Sequence, residues 1–76
     1  MENFYDLLKI TPNANKNDII NAYKSSIKHY IDIGHLNNDQ INEIRTLKSA
    51  LYVLSNDDLR NKYNDILYFL FHYIKF

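Results

Sequence analysis

The sequence has no cysteine and no tryptophan, one glycine and one proline, and no surplus of either charge. Each shortage removes a class of protein. Without cysteine, neither a disulfide framework nor a thiolate zinc site can hold the chain together. A single glycine and a single proline leave little turn chemistry, so the 76 residues point to one all-helical domain. That length lies near the lower size at which an apolar core suffices by itself. Nine basic residues balance nine acidic ones, so no global field draws the chain to nucleic acid or anionic lipid. The N-terminus, Met1-Glu2-Asn3-Phe4-Tyr5, has no basic stretch followed by an apolar run. No secretion signal is evident, and the cytoplasm (or the nucleus by diffusion) is the expected compartment.

Catalytic signatures are missing too. There is no glycine-rich phosphate loop, no Ser-His-Asp ordering and no isolated carboxylate pair, so neither an enzyme activity nor a cofactor is expected. The three histidines, His29, His35 and His72, fall in different segments. His29 and His35 straddle Gly34, and a metal site needs several ligands about 2 Å from one ion. No metal site is expected. His29 reads as a surface residue within hydrogen-bonding reach of Asp32.

What the chain does have is helical periodicity. In the stretch 39–55, Ile41, Ile44, Leu47, Ala50, Leu51 and Leu54 recur every three or four residues and form one apolar stripe. Lys48, Ser49 and Tyr52 fall off it. Small Ala50 in the middle predicts a close crossing by another helix. A helix of this length cannot bury its stripe alone, so the other segments must be its partners.

Upstream, Asn3 caps a short helix over 4–9, and Thr11-Pro12 breaks it because proline disfavours a helical residue before it. Asn15 caps a second helix, with Asp18 in its first turn, and Gly34 ends it. Ile19, Ala22, Tyr23, Ile27 and Tyr30 are its inner face; Lys16, Lys24 and Lys28 mark the solvated one. Asn38 or Asp39 is expected to cap the central helix. Ser55-Asn56-Asp57-Asp58 closes it and caps the last helix, which begins near Asp57.

Taken together, these segments resemble a J domain, the co-chaperone module of the DnaJ/Hsp40 family. The matching residues are Phe4-Tyr5-Asp6-Leu7-Leu8, Thr11-Pro12-Asn13-Ala14, Ile19-Ile20-Asn21-Ala22-Tyr23 and Tyr30. Ala50-Leu51-Tyr52-Val53-Leu54-Ser55 and Asp58-Leu59-Arg60-Asn61-Lys62-Tyr63-Asn64 complete the set, in family order and spacing. The resemblance spans about residues 3–64. It implies a four-helix fold in which the second and third helices form an antiparallel hairpin and the first packs across it.

One motif departs. In the family, His-Pro-Asp directly follows the tyrosine that matches Tyr30, couples to Hsp70 and triggers its ATP hydrolysis. Here Ile31, Asp32 and Ile33 stand in those places. The resemblance therefore implies a J-like domain with the scaffold and without the trigger, similar to the trigger-less partner subunit of the mitochondrial import motor. Ile31 and Ile33 have two readings: an extension of the inner stripe into the core, which is the favoured one, or a new apolar contact at the old Hsp70-facing loop. Lys24 and Lys28 lie on the face that meets Hsp70 in the family. An ordinary solvated face is favoured for them, with a weak Hsp70 contact as the alternative.

The segment 65–76 lies beyond the resemblance and is read as an apolar extension of the last helix, distinct from the J-like part at 1–64. Ile66, Phe69, Leu70 and Tyr73 form one stripe, and Leu67, Leu70, Phe71 and Ile74 a second. A surface helix of a monomer needs one apolar face, so two faces imply two coverings. The apolar stretch is about eleven residues long, too short to span a bilayer, which takes about 20. The expectation is a helix–helix interface, with a second copy or another protein. The alternative is a tail that folds back into the core. The functional expectation is thus a non-catalytic protein-protein interaction module unable to stimulate Hsp70 in the usual way. Its rivals are an unconventional Hsp70 co-chaperone and a small viral helical protein that binds nucleic acid or serves as a structural subunit; nucleic acid is the less favoured partner.

Overall fold

A computed structural model describes residues 2–73 and, of Tyr73, the backbone alone. Four helices follow one another: α1 (Phe4–Leu8), α2 (Lys16–Ile33), α3 (Asn38–Leu54) and α4 (Asp57–Tyr73). There is no strand among the described residues.

The helix starts are set by asparagine. The Asn3 carboxamide accepts from the Asp6 N–H at 2.9 Å. Asn15 accepts from the Asp18 N–H at 2.8 Å while the Asp18 carboxylate accepts from the Asn15 N–H at 3.2 Å. The same reciprocal box opens α3, but one residue earlier than expected. Asn37, not Asn38 or Asp39, accepts from the Gln40 N–H at 2.8 Å, and Gln40 accepts from the Asn37 N–H at 3.0 Å. The reason is the residue three positions on: a cap at Asn37 meets a glutamine acceptor, whereas a cap at Asn38 would meet Ile41. Asn56 starts α4 by accepting from the Leu59 N–H at 3.0 Å, with Asp57 and Asp58 in the positively polarised first turn.

The ends differ as well. The first helix stops at Leu8, because Lys9 takes the left-handed conformation (φ 59°). There its own N–H and that of Ile10 reach back to the carbonyls of Asp6 and Tyr5, both at 3.0 Å. A lysine in this region costs about 1 kcal/mol relative to glycine. Gly34, at φ 77°, ends α2 where expected.

The third helix packs against each of the others. Its Leu47, Ala50 and Leu54 are buried with Tyr5 and Leu8 of α1, Ala14 of the first loop and Ile19 of α2. Burial of Ile19 or Leu54, each essentially inaccessible, contributes about 1.5–3 kcal/mol. Ala50 is fully covered, as a close crossing requires. Helices α2 and α3 form a hairpin across the four residues 34–37, a link short enough to force antiparallel neighbours. The stripe in α3 is shorter than the periodicity alone suggests, since Ile41 in the first turn is exposed.

Candidate interaction surface

The fourth helix is divided by its contacts. Its first half is polar in composition yet carries the tertiary bonds. The Arg60 guanidinium donates through one Nη to the carbonyls of Pro12 (2.9 Å) and Ala14 (2.7 Å), and through Nε to the Tyr5 hydroxyl (3.2 Å). It also lies 5.6 Å from the centroid of the Tyr5 ring. The Tyr5 hydroxyl donates to the Asn64 carboxamide. One turn further, Tyr63 stacks on Phe4 with centroids 4.7 Å apart, and its hydroxyl accepts from the Phe4 N–H at 2.8 Å. These bonds tie α4 to α1 and to the loop before α2. Burial pushes the Tyr63 hydroxyl above its usual pKa, and the nearby Tyr5 and Asp6 add to this, while the bond from the Phe4 amide opposes it.

The second half is apolar yet exposed. Leu67 is the last described residue of α4 that packs against the core. Around and beyond it, Ile66, Tyr68, Phe69, Leu70 and Phe71 are 57%, 59%, 52%, 41% and 84% accessible. The tail does not fold back over the described residues. Ile74 and the side chain of Tyr73, both placed in the expected interface, lie outside the described residues. His72 stacks on Tyr68 with centroids 3.9 Å apart, and its Nδ1 sits 2.9 Å from the Tyr68 carbonyl. A carbonyl only accepts, so Nδ1 carries the proton and Nε2 points away from the bond.

At the other end of the hairpin, Ile31 is 69% and Ile33 42% accessible. The core reading of these two residues is therefore overturned: the α2 stripe stops contributing to the core at Tyr30, because the chain turns away at Gly34. Asp32 between them is exposed, as are Lys24 and Lys28. Positions 24, 28 and 31 share one side of α2 by helical spacing, so the two lysines lead up to the exposed Ile31. Tyr30 faces Glu43 of α3, and a hydrogen bond to that carboxylate raises the tyrosine pKa. His29 stands edge-on to Tyr30 at 5.4 Å and makes no hydrogen bond to Asp32. A shallow groove of about 630 Å³ lies between α1, α2 and α3, with Leu7, Ile10, Ala22 and Tyr30 in its lining.

Of the residues singled out in the sequence, the structure separates two groups. Ile31, Ile33, Lys24 and Lys28 lie on α2, and Ile66, Leu67, Phe69, Leu70 and Phe71 on α4. Leu67 belongs to the domain body. Among the described residues no group of three potential ligands could hold a metal ion, and no helix is long and apolar enough to cross a membrane. Sequence reasoning missed the Arg60 clamp. The spacing of Arg60 and Tyr63 shows only that they share a helical face; the carbonyls of Pro12 and Ala14 that Arg60 meets lie far away in sequence.

Comparison with known proteins bears on the scaffold. The chain is 33% identical over 64 residues to the chaperone protein DnaJ of Chlorobium chlorochromatii (strain CaD3). It is similar to DnaJ. The DnaJ of Chlorobium luteolum (strain DSM 273 / BCRC 81028 / 2530) is 34% identical over 62 residues. These alignments take in 83% and 80% of this chain but 16% of each relative, so the likeness concerns one segment of those chaperones. No family model and no solved structure matches the chain. The four-helix order α1–α4 is compatible with a J-domain-like fold.

Proposed function

We propose that this chain is a J-like, non-catalytic interaction module, working in the cytoplasm and recruiting a protein partner through the distal half of α4. The observation that carries this reading is the set of exposed apolar side chains Ile66, Tyr68, Phe69, Leu70 and Phe71, on the part of the helix from which only Leu67 reaches the core. Monomers rarely leave contiguous apolar patches of more than a few hundred Å² without a use for them. The exposed Ile31 and Ile33 are a second, smaller docking point at the hairpin end. The helical scaffold and the likeness to DnaJ support a co-chaperone-related origin.

The same likeness raises Hsp70 as a partner, and the α2 sequence argues against stimulation of it. Where the family resemblance calls for His-Pro-Asp, the chain offers Ile31-Asp32-Ile33. With isoleucine in place of the imidazole and of the carboxylate, and Asp32 in place of the proline, both polar end groups and the fixed backbone at that place are lost. Lys24 and Lys28 remain exposed and give at most a weak electrostatic contact, of the order expected for solvated charges. The chain itself has no catalytic residue in this reading, and the α4 tail and α2 corner act by binding alone.

The test is ATP turnover by a bacterial Hsp70 with this chain added in excess. The expected result is an unchanged rate. Stimulation that disappears in Lys24→Glu/Lys28→Glu would overturn the reading in favour of an unconventional co-chaperone.

A further inference from the structure

The distal half of α4 also indicates what covers it. Helical spacing places Asp65, Tyr68, Phe69 and His72 on one side of the helix, turned away from Tyr63 and Leu67, which face the core. Ile66 and Phe71 flank this side. Asp65, Tyr68, Phe69 and His72 are all exposed. From 66 to 74 the sequence contains no Asp, Glu, Lys or Arg, so the apolar centre has no fixed charge with which to select an oppositely charged partner. The two ionisable groups on this side sit at its ends, Asp65 toward the body of the domain and His72 toward the C-terminus.

We propose that this side of α4 pairs with the same side of a second copy, in antiparallel orientation. The inference rests on the interaction reading above and specifies its partner. A two-fold axis between Tyr68 and Phe69 sets Tyr68 of one copy against Phe69 of the other. It also sets Asp65 of each copy against His72 of the other. Both charge contacts arise from the same operation, as an isologous interface requires. A parallel arrangement would instead place aspartate beside aspartate and histidine beside histidine. With Nδ1–H committed to the Tyr68 carbonyl, Nε2 is the atom left, and it donates to a carboxylate when the ring is doubly protonated.

The available area sets the strength. An aromatic side chain buries roughly 150–250 Å², so the exposed fractions of Tyr68, Phe69 and Phe71, with Ile66 beside them, give a patch on the order of 500 Å² per copy. Two such patches bury about 1,000 Å², the lower bound for a specific interface. The pair is therefore weak and reversible, and its charge contacts decide its register.

A charge exchange across the two-fold axis tests the geometry. Sedimentation velocity of the wild-type chain from micromolar to submillimolar concentration should show a mass rising toward the dimer. Asp65→Lys alone and His72→Glu alone should each weaken self-association by roughly tenfold, because the first removes the carboxylate that His72 meets and the second sets carboxylate against carboxylate. An equimolar mixture of the two should recover wild-type association as a mixed dimer, in which both contacts join opposite charges. Two variants that associate like wild type, or a mixture that fails to recover, would overturn the antiparallel pairing. A wild-type chain that stays monomeric throughout, with Phe71→Asp still folded, would overturn self-pairing while leaving the docking of another protein in place. A monomer in which Phe71→Asp unfolds would overturn both.

Discussion

The two halves of α4 reverse the usual relation between composition and burial. Residues 57–64 read as polar, yet Arg60, Tyr63 and Asn64 fasten the helix to α1 and the first loop. Residues 66–71 are apolar in composition, yet all but Leu67 are exposed. The difference lies in what stands beneath each half. Tyr63 meets Phe4 and Arg60 meets two carbonyls of the 12–14 turn, whereas past Leu67 no described residue adds to the core cluster. Side-chain chemistry states what a residue could bury; only its position on the scaffold decides whether a partner is there.

This contrast can be broken from the proximal side first. Tyr63→Ala removes a ring stacked on Phe4 and the acceptor of the Phe4 N–H, and should cost about 3 kcal/mol in urea unfolding. For a domain of this length, with a total stability of about 4–11 kcal/mol, that is a large share. Arg60→Ala should cost about 2 kcal/mol, because the Ala14 carbonyl loses a charged donor. Arg60→Lys should restore less than half of that loss. An ammonium cannot serve two carbonyls and the Tyr5 hydroxyl with the fork of a guanidinium. Equal stability of the Lys variant and wild type would mean that the clamp acts through charge alone.

A change of pH sharpens the comparison without a mutation. The raised Tyr63 pKa means that the folded state resists losing this proton more than the unfolded chain does. Its stabilising contribution is complete below the ordinary tyrosine value of about 10 and is lost as pH rises through the higher folded value. Unfolding monitored in urea should therefore show stability falling above about pH 10, and Tyr63→Phe should flatten that part of the profile. A slope unchanged in Tyr63→Phe would assign the alkaline loss to other tyrosines.

Much of the scaffold was legible in the sequence because local rules and tertiary packing agree there. Asn15 with Asp18, Gly34, and the Leu47–Ala50–Leu54 stripe each serve one helix, and each is found where the spacing placed it. Asn37 was passed over because three polar residues in a row offer competing caps. Only the position of Gln40 distinguishes them. The inward reading of Ile31 and Ile33 rests on a local rule, that a β-branched apolar residue next to an inner stripe usually belongs to it. The turn at Gly34 leaves both exposed. The tail was recognisable as apolar on two sides, but the Arg60 clamp that holds α4 depends on carbonyls some 46 to 48 residues away, and no local pattern contains that information.

The central claim is that the apolar distal half of α4 lies outside the core, and the substitution with the smallest expected effect tests it most directly. Phe71→Gln keeps helix propensity and removes the most exposed aromatic ring. Its unfolding free energy should be compared with that of wild type at a dilution where both are monomeric. The account predicts agreement within about 0.5 kcal/mol, the range of ordinary surface substitutions. A loss of about 2 kcal/mol or more would place Phe71 in the core and contradict the division of α4 into a fastened half and an interaction half.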